Sequence, residues 1–384
     1  MLSRYHSGLK KIVQYYFYIF RLDFLPQFKC KGINLNSLKL FVYPCMMVFS
    51  VSCSIWHVLC DLEDFSNIID LSFSLSFIVG FAGSLGCFHT TTVLNSKIIL
   101  STLEYFDNVI NAEDGFVTDI RRKHYLKYTK LAFWVGRIFL TIIGVSGFMV
   151  ISFDIYHSSN HTPMFYNIPG IPVESLFFYP VNFIVQSIIY YSGIEMVLWS
   201  DIVIMAMIMY CAAELRSITE LISRLDEDQS TSERRKILKT VYEMHRMIAE
   251  KASRLTLFFW YIYFEQLFMV MTYLCIILFS MQTISMTLFV LAITVLVILM
   301  QIFILCFFGQ IIRDSSEAMF DALYMTKWYE MELTDQKNLL IFMIRFFLPI
   351  RVQTFGFGVV SIFTFVQICK VSISYATILY TVFV

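Results

Sequence analysis

The sequence predicts an all-α integral membrane protein with seven transmembrane helices, a cytoplasmic amino terminus and a cytoplasmic helical anchor. Of its 384 residues, 58% are hydrophobic and only 15% are charged, whereas about a quarter of the residues in a soluble domain are charged. So many apolar residues cannot be buried inside one soluble globule, and they exclude a disordered chain, which lacks apolar residues. The 29 basic and 29 acidic residues balance, so no attraction to nucleic acid is expected.

Long apolar stretches define the membrane helices, because a helix needs about 20 mainly apolar residues to cross the hydrocarbon layer. The predicted spans are 38–60, 67–94, 130–155, 181–213, 256–279, 287–310 and 355–381. Before the first span, Lys10 and Lys11 lie within an aromatic, amphipathic stretch. This pattern favours a helix on the inner membrane surface over a signal peptide.

Lysine and arginine indicate the orientation, because basic loops stay in the cytoplasm. They fall almost entirely in alternate connecting segments. The basic segments, which hold 26 of the 29 Lys and Arg residues, are 1–37, 95–130, 214–255 and 311–354. The segments without Lys or Arg are 61–66, 156–180, 280–286 and 382–384. The amino terminus is therefore predicted inside the cell and the carboxyl terminus outside.

The outer segment 156–180 supports this orientation. It contains Asn160-His161-Thr162, an N-glycosylation sequon that is used only on the luminal or extracellular side. The inverted topology also argues against a G-protein-coupled receptor, which places its amino terminus outside.

Other functional classes lack their sequence signals. The chain has no HExxH, GxSxG or P-loop motif, and its nine cysteines show no CxxC or regular spacing. No enzyme, metal site or cofactor is therefore predicted. A secondary transporter is expected to show an internal repeat with broken helices, and no such repeat is seen. Three intramembrane charges, Glu195, Glu265 and Lys370, either face water or pair with each other inside the bundle, or contact a ligand or ion directly.

The cytoplasmic segments between the later spans retain helical apolar stripes. Segment 214–255 is too charged for lipid, yet it carries apolar residues at helical spacing, so the fourth and fifth spans are predicted to continue into the cytosol as amphipathic helices. Segment 311–354 is predicted to hold an anchor helix and a linker, and Pro349 interrupts the approach to the last span.

Several motifs in the last 80 residues resemble the carboxyl-terminal signature of the insect odorant receptor family. In order, they are Gly309-x5-Ser315-Ser316, Ala322-x-Tyr324-x3-Trp328, Arg345-x3-Pro349, Phe355-Gly-Phe-Gly and Lys370-x-Ser372-x-Ser374-Tyr375-Ala-Thr-Ile-Leu379. Upstream, Ile171-Pro-x4-Phe177-x-Tyr179-Pro180 is similar to the stretch that precedes the fourth span in that family. The length, span count and inverted orientation of the whole chain also agree with the family.

The resemblance implies a tuned, odorant-binding subunit of a tetrameric, non-selective cation channel. Such a subunit is expected to bind a small volatile odorant and to form a heterotetramer with the shared odorant co-receptor. Its expected location is the plasma membrane of a sensory neuron dendrite, as a multi-pass protein among membrane lipids. A gustatory-type ligand-gated channel subunit is the nearest alternative, and a metabotropic seven-helix receptor or a small-molecule transporter is a more distant one.

The spans and the segments between them divide the chain into six parts, and the resemblance implies which parts hold the ligand site and the pore. The predicted parts are a cytoplasmic amino-terminal segment (1–37), spans one to four with the ligand site (38–213), a cytoplasmic helical loop (214–255), spans five and six (256–310), the anchor helix and linker (311–354) and a pore-lining last helix (355–384).

The last helix carries the predicted pore. Gln367, Val371, Ser374, Ile378 and Val382 recur at spacings of 4, 3, 4 and 4, which places them on one helix face. The family alignment of Ser374-Tyr375 implies that the hydrophobic gate lies at Ile378 and Val382. Rings of apolar side chains can close a pore by dewetting. The alternative is the ordinary buried face of a membrane helix.

In the family, odorants bind in the outer half of the bundle among spans two, three, four and six. By depth in the membrane, this implies the candidate ligand residues Phe73, Phe77, Gly144, Gly147, Ile151, Tyr190, Tyr191 and Ile194. The two glycines would leave room on a helix face, although small residues at that spacing equally permit close helix packing.

Overall fold

A computed structural model describes residues 2–22, 29–30, 33–34, 39–61, 68–113, 115–157, 166, 168–172, 175–227, 231–283 and 288–383. Within these residues the helices are α1 (Leu2–Phe20), α2 (Lys39–Trp56), α3 (Ile68–Phe88), α4 (Ser96–Ile110), α5 (Phe116–His157), α6 (Phe178–Ser223), α7 (Thr231–Thr283), α8 (Leu288–Tyr324), α9 (Leu333–Phe346) and α10 (Ile362–Phe383). Strand β1 (Lys29–Cys30) pairs with β2 (Ile33–Asn34), and β3 (Gln353–Thr354) pairs with β4 (Gly358–Val359), both antiparallel.

Seven helices in the described part of the chain are long and apolar enough to cross a membrane, which confirms the predicted number. The helical segments that contain these candidate spans are Leu40–Cys60, Ser74–Leu94, Phe116–Met149, Phe178–Asp226, Phe259–Phe279, Ala292–Tyr324 and Ile362–Val382. The side of the membrane on which each end lies remains a prediction from the basic residues.

Helix α6 forms the centre of the bundle. In the most apolar part of this helix 89% of the residues are buried, and every residue from Ser200 to Leu215 is buried. It packs mainly against α5 and α8, with further contacts to α3 and α7. Helix α10 is the opposite case, because only 22% of its most apolar part is buried. Among the described membrane helices it packs mainly against α7 and α8. The least covered membrane helix is therefore the one that is predicted to line the pore.

The helices of the later spans are long and continuous. Helix α6 continues to Ser223, beyond residue 213 where the fourth span is predicted to end. Helix α7 begins at Thr231, well before the predicted start of the fifth span at residue 256, as the apolar stripes of segment 214–255 predict. Three residues of that stripe, Leu221, Val241 and Ile248, are fully buried, so the chain covers the stripe itself. Segment 311–354, which is predicted to hold the anchor helix, is divided at residue 324, since residues 311–324 continue α8 without a break and α9 is a separate helix.

Helix α1 is amphipathic and packs against α5 and α6. His6 Nδ1 lies 2.7 Å from the Tyr210 hydroxyl, and His6 Nε2 lies 2.9 Å from Asp107 Oδ1. Lys10 Nζ donates to Asp107 Oδ2 at 2.6 Å. These bonds, from Lys10 first and His6 second, hold the pKa of the Asp107 carboxyl below its usual value. The carboxylate therefore stays ionised and ties α1 to α4.

Candidate ligand cavity and pore helix

A cavity of ≈ 160 Å³ lies in the membrane bundle among α3, α5, α6, α7 and α8. An engineered apolar cavity of about 150 Å³ binds benzene, so this space suits a compact volatile molecule. The lining residues are mostly aliphatic or aromatic: Phe77, Gly80, Phe81, Ile143, Ser146, Tyr190, Gly193, Ile194, Val197, Leu198, Met269, Val270, Tyr273, Thr294, Val297, Ile298 and Gln301. A mainly apolar wall with a few polar groups is typical of small-molecule sites.

Three of the predicted ligand residues, Phe77, Tyr190 and Ile194, line this cavity. The Phe77 and Tyr190 rings meet edge to face, with their centroids 5.9 Å apart. These three residues come from α3 and α6, the helices of the second and fourth spans. The structure therefore brings together predicted residues that are more than 100 positions apart in the chain.

The other predicted ligand residues lie elsewhere. Gly147 and Tyr191 are not among the lining residues, and a Cβ atom at Gly147 would lie 3.4 Å from Tyr191 Cε1. Gly144 is exposed and faces open space, and Ile151 is buried outside the cavity lining. The side chain of Phe73 and the sequon residue Asn160 fall outside the described residues.

Helices α7 and α8 supply lining residues that the sequence interpretation did not single out. Met269 and Tyr273 are one helical turn apart on α7, and Thr294, Val297 and Gln301 follow a helical spacing on α8. The resemblance implies that the sixth span, which is part of α8, contributes to the ligand site, but it indicates no residue there. The polar Gln301 within a long apolar run is the signal that could have identified one. No comparable signal marked α7, because its lining residues are apolar or aromatic like their neighbours.

Helix α7 fits into a row of glycines on α3. Cβ atoms built at Gly83 and Gly86 would collide with Met269 Sδ and with Glu265 Oε1 respectively. The glycines therefore allow α7 side chains to approach the α3 backbone closely. Glu265 Oε2 is buried and has no hydrogen-bond partner among the described residues. Thus Glu265 lies at the α3–α7 contact and outside the cavity lining.

A hydrogen-bonded group lies at one end of the cavity, one helical turn beyond the lining residues Val197 and Leu198 of α6. Asp201 of α6 accepts hydrogen bonds from Gln266 Nε2 of α7 and from Gln301 Nε2 of α8, the latter at 2.9 Å. We call these three residues the Asp201 node. It joins the three helices at the point where Gln301 also lines the cavity.

The five predicted pore residues all lie on exposed faces of α10. Ile378 is 54% exposed and Val382 is 70% exposed, and Gln367, Val371 and Ser374 are also exposed. The side of α10 that packs against α7 and α8 is formed by other residues, which recur every four positions: Thr364, Ile368, Ser372 and Ala376. A single subunit therefore leaves the predicted pore residues uncovered. The charged residues Glu195 and Lys370 are exposed as well.

A β-hairpin leads into α10 and explains part of the carboxyl-terminal motif. Gly356 and Gly358 have φ values of 77° and 73°, a region that side-chain-bearing residues rarely adopt. Thr354 Oγ1 donates to the Trp260 carbonyl at 3.1 Å, which fastens the hairpin to α7. Upstream, the Ile350 amide donates to Ser316 Oγ at 2.9 Å.

Comparison with known proteins decides the family. The 7tm Odorant receptor family model matches residues 96–373 of this chain. The chain belongs to the odorant receptor family. A member of this family is a receptor and not an enzyme, as the sequence predicts. No curated protein matches the sequence.

Two solved structures share the fold of this odorant receptor. Both are of the insect olfactory receptor OR5 from Machilis hrabei, one in complex with eugenol (TM-score 0.78) and one described without it (TM-score 0.77). Each is 14% identical, and each alignment covers 98% of this chain and 99% of the OR5 chain. The described residues of the receptor contain no group of three or more His, Cys, Asp or Glu that could hold a metal ion.

Proposed function

We propose that this odorant receptor is a subunit of an odorant-gated, non-selective cation channel in the plasma membrane. A small volatile ligand binds in the cavity, and the last helix, α10, lines the pore. The proposal rests on one observation: α7 and α8 form walls of the cavity and are also the helices on which α10 packs. A ligand between α7 and α8 can therefore act on α10 directly. The eugenol complex of OR5, which has the same fold, supports a small organic ligand.

The cavity favours binding through apolar burial. A ligand the size of a benzene ring that buries roughly 200 Å² would gain about 5 kcal/mol at about 25 cal/mol per Å². If all of this gain were retained, the dissociation constant would be roughly 0.2 mM. Loss of ligand motion weakens binding further. A receptor with this cavity is therefore expected to respond to volatile ligands at high micromolar or greater concentrations.

The exposed faces of α10 support assembly with other subunits. A membrane helix with polar Gln367 and Ser374 among its uncovered residues is better placed beside water or protein than beside lipid. We propose a heterotetramer with the odorant co-receptor, in which these residues face a wet passage and Ile378 and Val382 form the gate. The odorant opens the pore only if it binds the open state more tightly than the closed one.

Substitution of the proposed gate tests the pore assignment. Ile378→Ser together with Val382→Ser should raise the resting cation current of cells that also express the co-receptor, because polar residues keep the narrow point hydrated. The matched control is Ile373→Ser, since Ile373 is similarly exposed, at 56%, but points away from the proposed pore face. An unchanged resting current in the double variant, at equal surface abundance, would contradict the gate.

Recording from excised patches tests whether the channel is gated directly. Odorant-evoked current that persists in a patch without nucleotides supports a ligand-gated channel. Current that disappears under these conditions and returns with cytosolic components would indicate a metabotropic receptor instead. Expression with and without the co-receptor then shows whether a heteromer is required.

A further inference from the structure

We propose that Gln301, held in position by Asp201, makes this receptor select ligands that carry a hydroxyl group. The inference rests on the proposed function, because it assigns a ligand class to the same cavity. The ligand class is a compact volatile, close to a single aromatic ring in size, with one hydroxyl group at the end that reaches the Asp201 node.

The first step concerns the position of Gln301. The lining residues of α8 run from Thr294 through Val297 and Ile298 to Gln301, so Gln301 lies at the end of the cavity next to Asp201. It is the only carboxamide side chain among the described lining residues. Its surroundings are mainly apolar, and so a ligand's polar group finds a partner at few places.

The second step concerns the orientation of the amide. Gln301 Nε2 donates to Asp201 Oδ2 at 2.9 Å. Both side-chain oxygens of Asp201 accept from amide NH2 groups, Oδ1 from Gln266 and Oδ2 from Gln301, so the NH2 group of Gln301 points toward Asp201. The amide oxygen, Oε1, is on the other branch of the same planar group and is left for the cavity. The oxygen can accept a hydrogen bond from a ligand and cannot donate one.

The third step concerns why this orientation is stable. Asp201 is only 2% exposed, and its other carboxylate oxygen, Oδ1, accepts from Gln266 Nε2 on α7. Turning the carboxylate would break hydrogen bonds to two helices at once. Breaking them in a buried site is unfavourable, because the groups would be left without partners. Asp201 is thus a positioning residue, and Gln301 is the residue that contacts the ligand.

Selectivity is expected because a ligand without a hydroxyl leaves the Gln301 amide oxygen without a hydrogen-bond donor. A hydroxyl donates to Gln301 Oε1, whereas a methyl group of the same shape removes water from that oxygen and offers nothing in return. Sites built to hydrogen-bond a hydroxyl reject analogues that lack it. For one neutral hydrogen bond we expect a preference of roughly 3- to 10-fold.

Phenol and toluene provide the test, because they differ by one hydroxyl in place of one methyl group. The receptor is expressed with the co-receptor, and the EC50 for each compound is measured by current recording at checked surface abundance. In the wild type we expect the phenol EC50 to be roughly 3- to 10-fold below that of toluene. Gln301→Met, which keeps the length of the side chain, should bring this ratio close to one.

The Asp201→Asn variant tests the positioning role. Asparagine can donate as well as accept, so it allows the Gln301 amide to turn and present its NH2 group to the cavity. The phenol preference should fall, and the response to benzaldehyde, which accepts hydrogen bonds but cannot donate them, should rise relative to the wild type. If Asp201 had only a structural role, Asp201→Asn would lower the responses to phenol, toluene and benzaldehyde together. That result would contradict the positioning role.

Three comparators identify the group responsible. Tyr190→Phe, Tyr273→Phe and Thr294→Val each remove one of the other hydroxyls of the lining. Loss of the phenol preference in one of these variants, with the preference intact in Gln301→Met, would overturn the assignment to Gln301. Equal wild-type EC50 values for phenol and toluene would overturn the inference without any variant and leave the proposed channel function standing. If no compound of a broad panel of volatiles evoked a current in the wild type, both the inference and the proposed channel function would be overturned.

Discussion

Arg121 and Glu214 form a buried ion pair where α5 crosses α6, and its removal should destabilise the receptor strongly. Arg121 Nη2 donates to Glu214 Oε1 at 2.6 Å, and the Tyr125 hydroxyl donates to Glu214 Oε2 at 2.9 Å. The Glu214 side chain is 0% exposed and that of Arg121 is 18% exposed. Glu214→Ala therefore leaves a largely buried cation and a buried hydroxyl without their acceptor.

The size of the effect can be estimated from these two bonds. A hydrogen bond to a charged group contributes about 1.5–3 kcal/mol, so the loss of two costs about 4 kcal/mol. This agrees with the about 3–5 kcal/mol that is typical when one partner of a buried ion pair is removed. An exposed ion pair contributes only about 0.2–1 kcal/mol. Arg254 and Glu250 form such a pair on α7, with side chains 61% and 55% exposed.

Thermal melting of the solubilised receptor, together with its surface abundance, provides the assay. Glu214→Ala should lower the melting temperature several times more than Glu250→Ala, its matched control. In the double variant Arg121→Met/Glu214→Met, most of this loss should be recovered, because no buried charge remains unpaired. Equal shifts for the two alanine variants, or a double variant as unstable as Glu214→Ala, would refute the reasoning.

Two further predictions concern α7. Burial lowers the pKa of His245 to about 4, below the value of about 6.5 in the unfolded chain. The contribution of neutral His245 to the free energy of unfolding is therefore fully present above about pH 6.5. It is lost as the pH falls toward 4, by up to about 3 kcal/mol. Melting at pH 7.5 and pH 5 should show this loss, and His245→Leu should flatten it; an unchanged pH profile in that variant would contradict the assignment. Gly83→Val should reduce surface abundance, because its side chain meets Met269, and Met269→Ala should restore it; a double variant no better than Gly83→Val would exclude that collision.

The number and continuity of the helices were predictable from the sequence because they depend on local patterns. Apolar stretches and the helical stripes of segment 214–255 predicted the spans and the length of α6 and α7. The division of segment 311–354 was less accessible. Residues 311–324 are polar enough to leave the membrane, yet they contain no residue that stops a helix, so α8 simply continues to Tyr324.

The cavity was predictable only in part because it depends on which side of each helix faces its neighbours. Phe77, Tyr190 and Ile194 line it, whereas Gly144 lies on the outer side of α5. Depth in the membrane follows from the sequence, but helix rotation is set by packing between helices. The Asp201 node joins three helices in the same way, since Gln266 and Gln301 are 65 and 100 residues away from Asp201.

The route from the cavity to α10 is short. Val270 lines the cavity, and the carbonyl of the next residue, Met271, lies 3.4 Å from the Ser372 hydroxyl of α10. Ser372 in turn is two residues from Ser374 on the proposed pore face. A shift of α7 at the cavity therefore reaches α10 through adjacent residues and needs no long relay. Coupling requires that the odorant prefer one of two arrangements of α7 and α10. If α10 lines the pore, substitutions at the α7–α10 contact should change the fraction of channels that open at saturating odorant, whereas substitutions of Gln301 should mainly change which odorant opens them.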